Sequence, residues 1–206
     1  MRESGKEFSF NEDTEAMVQS TIAKYPKGWE ASAVMPLLDL AQRQNHGWLS
    51  KEAIDYVSQR LNMPPIRVYE VATFYTMYNL EPIGKHHVEV CTNLPCWLRG
   101  SDDIVAACEK ALNITMGETT EDKTFTLSHA ECLGACVNAP MMQIDDEYYE
   151  DLDTASTISI IDALKAGKTP KNGSQSARFS CEPATGLTSL KHQEALLKSE
   201  GNGGSL

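Results

Sequence analysis

Two cysteine pairs constrain this chain more than any other feature: Cys91 and Cys96 in CTNLPC, and Cys132 and Cys136 in ECLGACVNAP. Each pair follows a short run that reads as a strand, HHVEVC at 86–91 and Phe125 to His129. Between them the spacing predicts a helix from Asp102 to about Leu112, capped by Ser101, with Ile104, Val105, Cys108 and Leu112 facing inward. A strand–helix–strand unit normally closes as a right-handed parallel crossover. Both strand ends then lie at the same edge of one sheet, so the two cysteine loops are expected to meet in space.

The loops differ from helical metal sites. On an α-helix, residues five apart point well away from each other, so Cys91 and Cys96 cannot share a metal from one helix. Asn93 and Pro95 favour a loop there. Gly134 and Ala135 let the backbone between the other two cysteines approach a bound group closely. Four thiolates meet the need of a [2Fe–2S] centre, two per iron. Structural zinc prefers C-x2–4-C spacing, which C-x4-C reaches only at its edge. A dithiol oxidoreductase would carry C-x-x-C, which this chain lacks. From spacing alone the cluster ranks ahead of zinc and zinc ahead of the dithiol, and all three remain open.

The chain before the cysteines is helical in pattern. Asn11 caps a first helix with Met17, Val18, Thr21, Ile22 and Tyr25 at helical spacing, ended by Pro26. A second starts near Ser32, carries Val34, Leu37, Leu38 and Ala41, and stops at Gly47. Ser50 caps a third with Ile54, Val57 and Leu61 on one face. After the break at Pro64-Pro65, a fourth shows Val68, Val71, Ala72 and Tyr75 at i, i+3, i+4, i+7. Beyond the second cysteine pair, Met141–Ile144 and Tyr148-Tyr149 read as a hairpin around Asp145-Asp146. A last helix follows from Thr154 to Ala166, stopped by Gly167. The fold class is therefore α+β: an N-terminal helical bundle over 1–80, then a thioredoxin-like α/β domain over 81–170. Residues 171–206, rich in Gly, Ser and Pro, are expected to form an extended or flexible tail that docks on a partner, with GNGGSL disordered.

Composition narrows the function. The chain has 206 residues, 41% of them hydrophobic, enough to bury a core. Its formal net charge of −11 opposes binding to nucleic acid. No apolar run approaches the roughly 20 residues that span a bilayer. The acidic start MRESGKEFSFNEDTE has neither an apolar signal core nor the Arg-rich, acid-poor character of a transit peptide. A soluble protein of the bacterial cytoplasm, or a processed form, is expected. Without a secretory signal, six cysteines point to metal or redox use rather than disulfides.

The run EVATFYTMYNLEPIGKHHVEVCTNLPCWLRGS, followed by SHAECLGACVNAPMMQID, closely resembles the E-subunit family of NADH–quinone oxidoreductase, respiratory complex I. The likeness also takes in KYPKGWEASAVMPLLDLAQRQNHGWLS and the tail EPATGLTSL. It implies a helical N-terminal domain and a thioredoxin-like domain holding one [2Fe–2S] cluster on Cys91, Cys96, Cys132 and Cys136. It implies two partners: a flavoprotein (the F subunit) that carries FMN and the NADH site, and the large iron–sulfur protein (the G subunit). It places the chain peripherally on the inner face of the bacterial cell membrane through the complex, or on the matrix side in a processed mitochondrial form. Related subunits occur in NAD-linked hydrogenases and formate dehydrogenases, and the EPATGLTSL tail favours complex I over these.

The other reactive residues read as structural. Cys108 is a core residue of its helix, Cys181 a free surface thiol, and His86, His87 and His129 strand residues beside the loops. Arg99 and Trp97 after Cys96 serve either the site or an interface. Nothing looks like a substrate acid, base or nucleophile, and there is no G-x-G-x-x-G loop, so NADH and FMN belong on a partner. An acidic chain disfavours the extra negative charge of a reduced cluster, and a low reduction potential is expected. One unit charge about 10 Å away at an effective dielectric of ~20 is worth roughly 1.7 kcal/mol, on the order of 70 mV for one electron.

Overall fold

A computed structural model of the protein describes residues 5, 7–186 and 188–189. The chain divides into two compact units, 1–85 and 86–206.

The first unit is helical: α1 (Glu12–Ile22), α2 (Val34–Gln44), α3 (Lys51–Arg60) and α4 (Pro65–Phe74), with a short 3-10 turn, Glu30–Ala33, leading into α2. Asn11 caps α1 by accepting from the Thr14 N–H at 2.8 Å, and Ser50 caps α3 by accepting from Ala53. The expected stripes converge on one core, where Val18, Leu37, Leu38, Ile54, Val57 and Val68 are all essentially inaccessible. Two expectations are corrected. The first helix ends at Ile22 rather than running to Pro26: the backbone tightens into i→i−3 bonds, Lys24 to Thr21 and Tyr25 to Ile22, because a residue before proline avoids the helical region. Tyr75 does not close the α4 stripe. It follows the last helical residue with extended dihedrals (φ −92°, ψ 120°) and is exposed. Tyr78 takes the core position instead and donates its hydroxyl to the Met35 carbonyl at 2.9 Å.

The second unit is built on one sheet. Its strands are β1 (His86–Cys91), β2 (Phe125–Ala130), β3 (Met142–Ile144), β4 (Glu147–Glu150) and β5 (Gly173–Ser174). They lie in the order β2-β1-β3-β4-β5. β1 and β2 are parallel, with Val88 opposite Leu127 and Cys91 opposite Ala130. β3 and β4 form the expected antiparallel hairpin, and β3 pairs antiparallel with β1. Two helices follow α5 (Leu94–Leu98), a single turn after β1: α6 (Ser101–Leu112) leads into β2, and α7 (Thr154–Lys165) comes after β4. Period-two alternation explains the packing. Val88, Val90, Phe125, Leu127, Met142 and Ile144 bury one face of the sheet against Ile104, Cys108 and Leu112 of α6 and Ile160 and Ile161 of α7. The intervening residues are more polar: the His87 ring bonds the Ser128 hydroxyl at 2.7 Å, and Thr119 and Thr126 share another bond at 2.8 Å. Ser101 is not the cap of α6. Gly100, in the left-handed region at φ +94°, occupies that position, and the Ser101 hydroxyl is buried.

The segment expected as a tail enters this unit. β5 pairs parallel with β4, and Arg178 forms an ion pair with Asp151 at 3.3 Å. GNGGSL lies outside the described residues.

Candidate metal-cluster site

β1 delivers the first pair. Its last residue, Cys91, is buried, and its N–H donates to the Met141 carbonyl at 3.2 Å. Thr92 donates to the Ala130 carbonyl at 3.4 Å, so the chain leaves β1 tied to both neighbouring segments. The loop expected for CTNLPC is in fact the one-turn helix α5. Asn93 starts it, accepting from the Leu94 N–H at 3.0 Å. Pro95 falls in the first turn, where a missing N–H costs nothing; read only as a breaker, it hid the helix. α5 turns Cys96 back, buried, into the same small cluster as Cys91, with Ala139 and Met141.

β2 delivers the second pair. After Ala130 the chain passes through Cys132, turns at Gly134 (φ +84°, a region glycine enters without a Cβ penalty), and enters a 3-10 turn, Cys136–Asn138. The Cys132 and Cys136 sulfurs stand 3.4 Å apart, both exposed. Side chains that sequence reasoning left without a role hold this loop. The Tyr148 hydroxyl donates to the Leu133 carbonyl at 2.9 Å. Asn93 donates to the Glu131 carboxylate at 3.1 Å, joining one cysteine loop to the other. A bridging asparagine beside one cysteine and a glutamate beside another is a signal visible only once the parallel register is known.

The four thiols form one electrostatic group. Burial first, then the adjacent Cys91, pushes the Cys96 thiol up to about 12, and Cys136 adds to the effect. Cys136 is raised chiefly by its hydrogen bond with Cys132, and it also feels Cys91. Left to protons, Cys96 and Cys136 resist ionising; a metal that replaces the protons relieves that resistance. Among the described residues, no three His, Cys, Asp or Glu side chains gather around a single ion. The sulfurs stand as two pairs, which is the donor arrangement a two-iron core takes, two thiolates to each iron.

The remaining candidates sit elsewhere. Cys108 is fully buried under the sheet, its thiol pushed up to about 12 by burial. Cys181 is exposed. His86 bonds Asp145 at 2.8 Å, and His129 faces solvent. Burial lowers the His87 pKa, with Glu89 and Asp145 opposing the shift. Trp97 donates its indole N–H to Asp102 at 3.0 Å.

Two thiol pairs at one edge of a helix-covered sheet have the donor chemistry of a thiolate-ligated metal or redox site. The family model described as thioredoxin-like [2Fe–2S] ferredoxin matches residues 18–165. The chain belongs to that family. It is 58% identical over 158 residues to the E subunit of NADH-quinone oxidoreductase from Rickettsia conorii, covering 77% of this chain and 95% of the relative. It is 51% identical over 183 residues to NADH dehydrogenase [ubiquinone] flavoprotein 2, mitochondrial, of Dictyostelium discoideum, covering 89% of this chain and 74% of the relative. Among solved structures, an NAD+-reducing [NiFe]-hydrogenase in the air-oxidized state aligns with a TM-score of 0.57 at 20% identity. That alignment covers 66% of this chain but only 23% of the hydrogenase chain, and it speaks to fold alone.

Proposed function

We propose that this chain is the [2Fe–2S] electron-carrying E subunit of an NADH–quinone oxidoreductase, with Cys91, Cys96, Cys132 and Cys136 as the cluster ligands. The single observation that carries the assignment is the meeting of two thiol pairs where parallel β1 and β2 end side by side. The cluster supplies one-electron redox chemistry when bound. The chain's own part is to hold one thiol pair buried and the other at the surface, and to lock the two loops together through Asn93 and Glu131.

The partners follow from the same reading. NADH and FMN belong to a flavoprotein, the F subunit, with the large iron–sulfur G subunit as a further neighbour. Leu94, Trp97, Leu98 and Val137 are between 53% and 68% exposed around the cysteine segments, which supports a covered, protein-facing rim. No helix among the described residues is long and apolar enough to cross a membrane, which supports peripheral attachment through the complex. The proposed location is the inner face of the bacterial cell membrane, or the matrix side in a mitochondrial form.

Anaerobic reconstitution with iron and sulfide tests the assignment. The protein is expected to turn reddish-brown, bind two irons per chain, and give a paramagnetic resonance signal on reduction. Cys132→Ser is expected to perturb or abolish that signal. A colourless protein that takes up zinc, or a Cys132→Ser variant with the wild-type spectrum, would overturn it.

A further inference from the structure

Arg178 lies beyond the matched family span of 18–165, in the segment expected as a tail that docks on a partner, yet it reaches the turn that carries Cys136. Its guanidinium donates to the Val137 carbonyl at 2.9 Å and to the Asn138 side-chain oxygen, also at 2.9 Å. On its other side it pairs with Asp151, and both side chains are 12% exposed. The turn it meets is only three residues long and belongs to no strand. Cys136 and Val137 are exposed, so packing contributes little to holding them.

The segment that delivers Arg178 is itself secured. The Ser174 hydroxyl donates to Asp151 at 2.7 Å and accepts from the Arg178 N–H at 3.2 Å. Ala177 and Ser180 adopt left-handed dihedrals, φ +61° and +50°, a conformation that costs a non-glycine residue energy and persists only when its surroundings enforce it. The Ser180 carbonyl then accepts from Asn138 at 2.8 Å, and Asn138 also donates to Glu150 at 3.0 Å. Two carboxylates, Glu150 and Asp151, thus lie beneath the turn, and Arg178 is the cation set against them.

We propose that Arg178 is a positioning residue for the exposed thiol pair: its planar fork fixes the Cys136–Asn138 turn, and its charge offsets the acids beneath it. The proposal rests on Cys132 and Cys136 being cluster ligands. Lysine would keep the charge but lose the fork, which separates the two contributions.

The test uses the reconstituted full-length chain as wild type, Arg178→Gln and Arg178→Lys. Three properties are measured: iron release to a chelator, the resonance spectrum of the reduced protein, and its midpoint potential. Arg178→Gln is expected to load normally, to release iron about tenfold faster, the lower end of what loss of a partner behind a metal ligand costs, and to show shifted g-values and a lower potential. Arg178→Lys is expected to recover the potential but not the slow release. Wild-type release rates and spectra in both loaded variants would overturn the proposal. Should Arg178→Gln fail to fold, the release rate of Arg178→Lys decides alone. A wild-type chain that binds no iron would instead sink the cluster assignment.

Discussion

Replacing Cys108 by alanine separates a packing thiol from a ligand, and its effect on stability depends on pH in a way the structure dictates. Cys108 is fully buried among Ile104, Leu112, Val88 and Leu127. Removing its sulfur leaves a void of about one methyl group, which costs about 1 kcal/mol at neutral pH. Alkaline conditions change the comparison. An unfolded chain releases this proton near 9.0, whereas the folded protein holds it to about 12 because burial penalises the thiolate. Above pH 9 the unfolded state therefore binds fewer protons, and the wild type loses stability as pH rises. At pH 10, one unit above the ordinary thiol value, that loss is about 1.4 kcal/mol, and the alanine variant escapes it. The gap of about 1 kcal/mol seen at pH 7 is thus expected to vanish or slightly reverse at pH 10. Every other titrating group is common to both proteins and cancels. The assay is urea unfolding of the reduced, cluster-free full-length chains at the two pH values, followed by Trp97 fluorescence with Trp29 and Trp48 replaced by Phe in both. A gap that is unchanged or wider at pH 10 would refute the burial argument. Loss of iron from the reconstituted Cys108→Ala chain would make Cys108 a ligand and refute the assignment of the other four.

Asp153 caps α7, accepting from the Ser156 N–H at 2.7 Å, with the Ser156 hydroxyl reaching back in a capping box. Asp153→Ala is expected to cost about 1 kcal/mol in urea unfolding at pH 7. Those bonds hold the carboxyl below its usual value, so its contribution is present above the ordinary carboxylate range and fades as pH falls through it; an Asp153→Ala penalty that persists undiminished at pH 2 would contradict this. Gly47, three residues beyond the end of α2 at Gln44, has φ +84°, and a Cβ there would meet the Ile83 side chain at 2.9 Å. Gly47→Ala is expected to lower the thermal midpoint of the helical unit, with a backbone cost of about 1–2 kcal/mol before any shift of Ile83; a midpoint equal to wild type would show that the turn relaxes.

Legibility from sequence followed the range of the interaction. The helices of the first unit, the β1–α6–β2 crossover and the hairpin were readable because each is set by neighbours within one or two turns: the Asn11 and Ser50 caps, the 3.6-residue stripes ending at Val68 and Ala72, and the alternation of Val88 and Val90. The meeting of the two cysteine loops was readable because parallel register carries both strand ends to one edge, so Cys91 falls opposite Ala130. Errors arose where a residue has two local uses. Pro95 can break a helix or begin one, and Ser101 can cap a helix or bury its hydroxyl inside it. The side chains that hold the site were least legible, for a different reason. Tyr148 bonds a carbonyl fifteen residues earlier, Asn93 a carboxylate thirty-eight later, and Arg178 a carbonyl forty-one earlier. No periodicity encodes such partners. Cysteine is scarce and its chemistry restrictive, so candidate metal donors stand out in a sequence. Tyrosine, asparagine and arginine have many ordinary surface roles, and only the fold shows which of them a thiolate loop depends on.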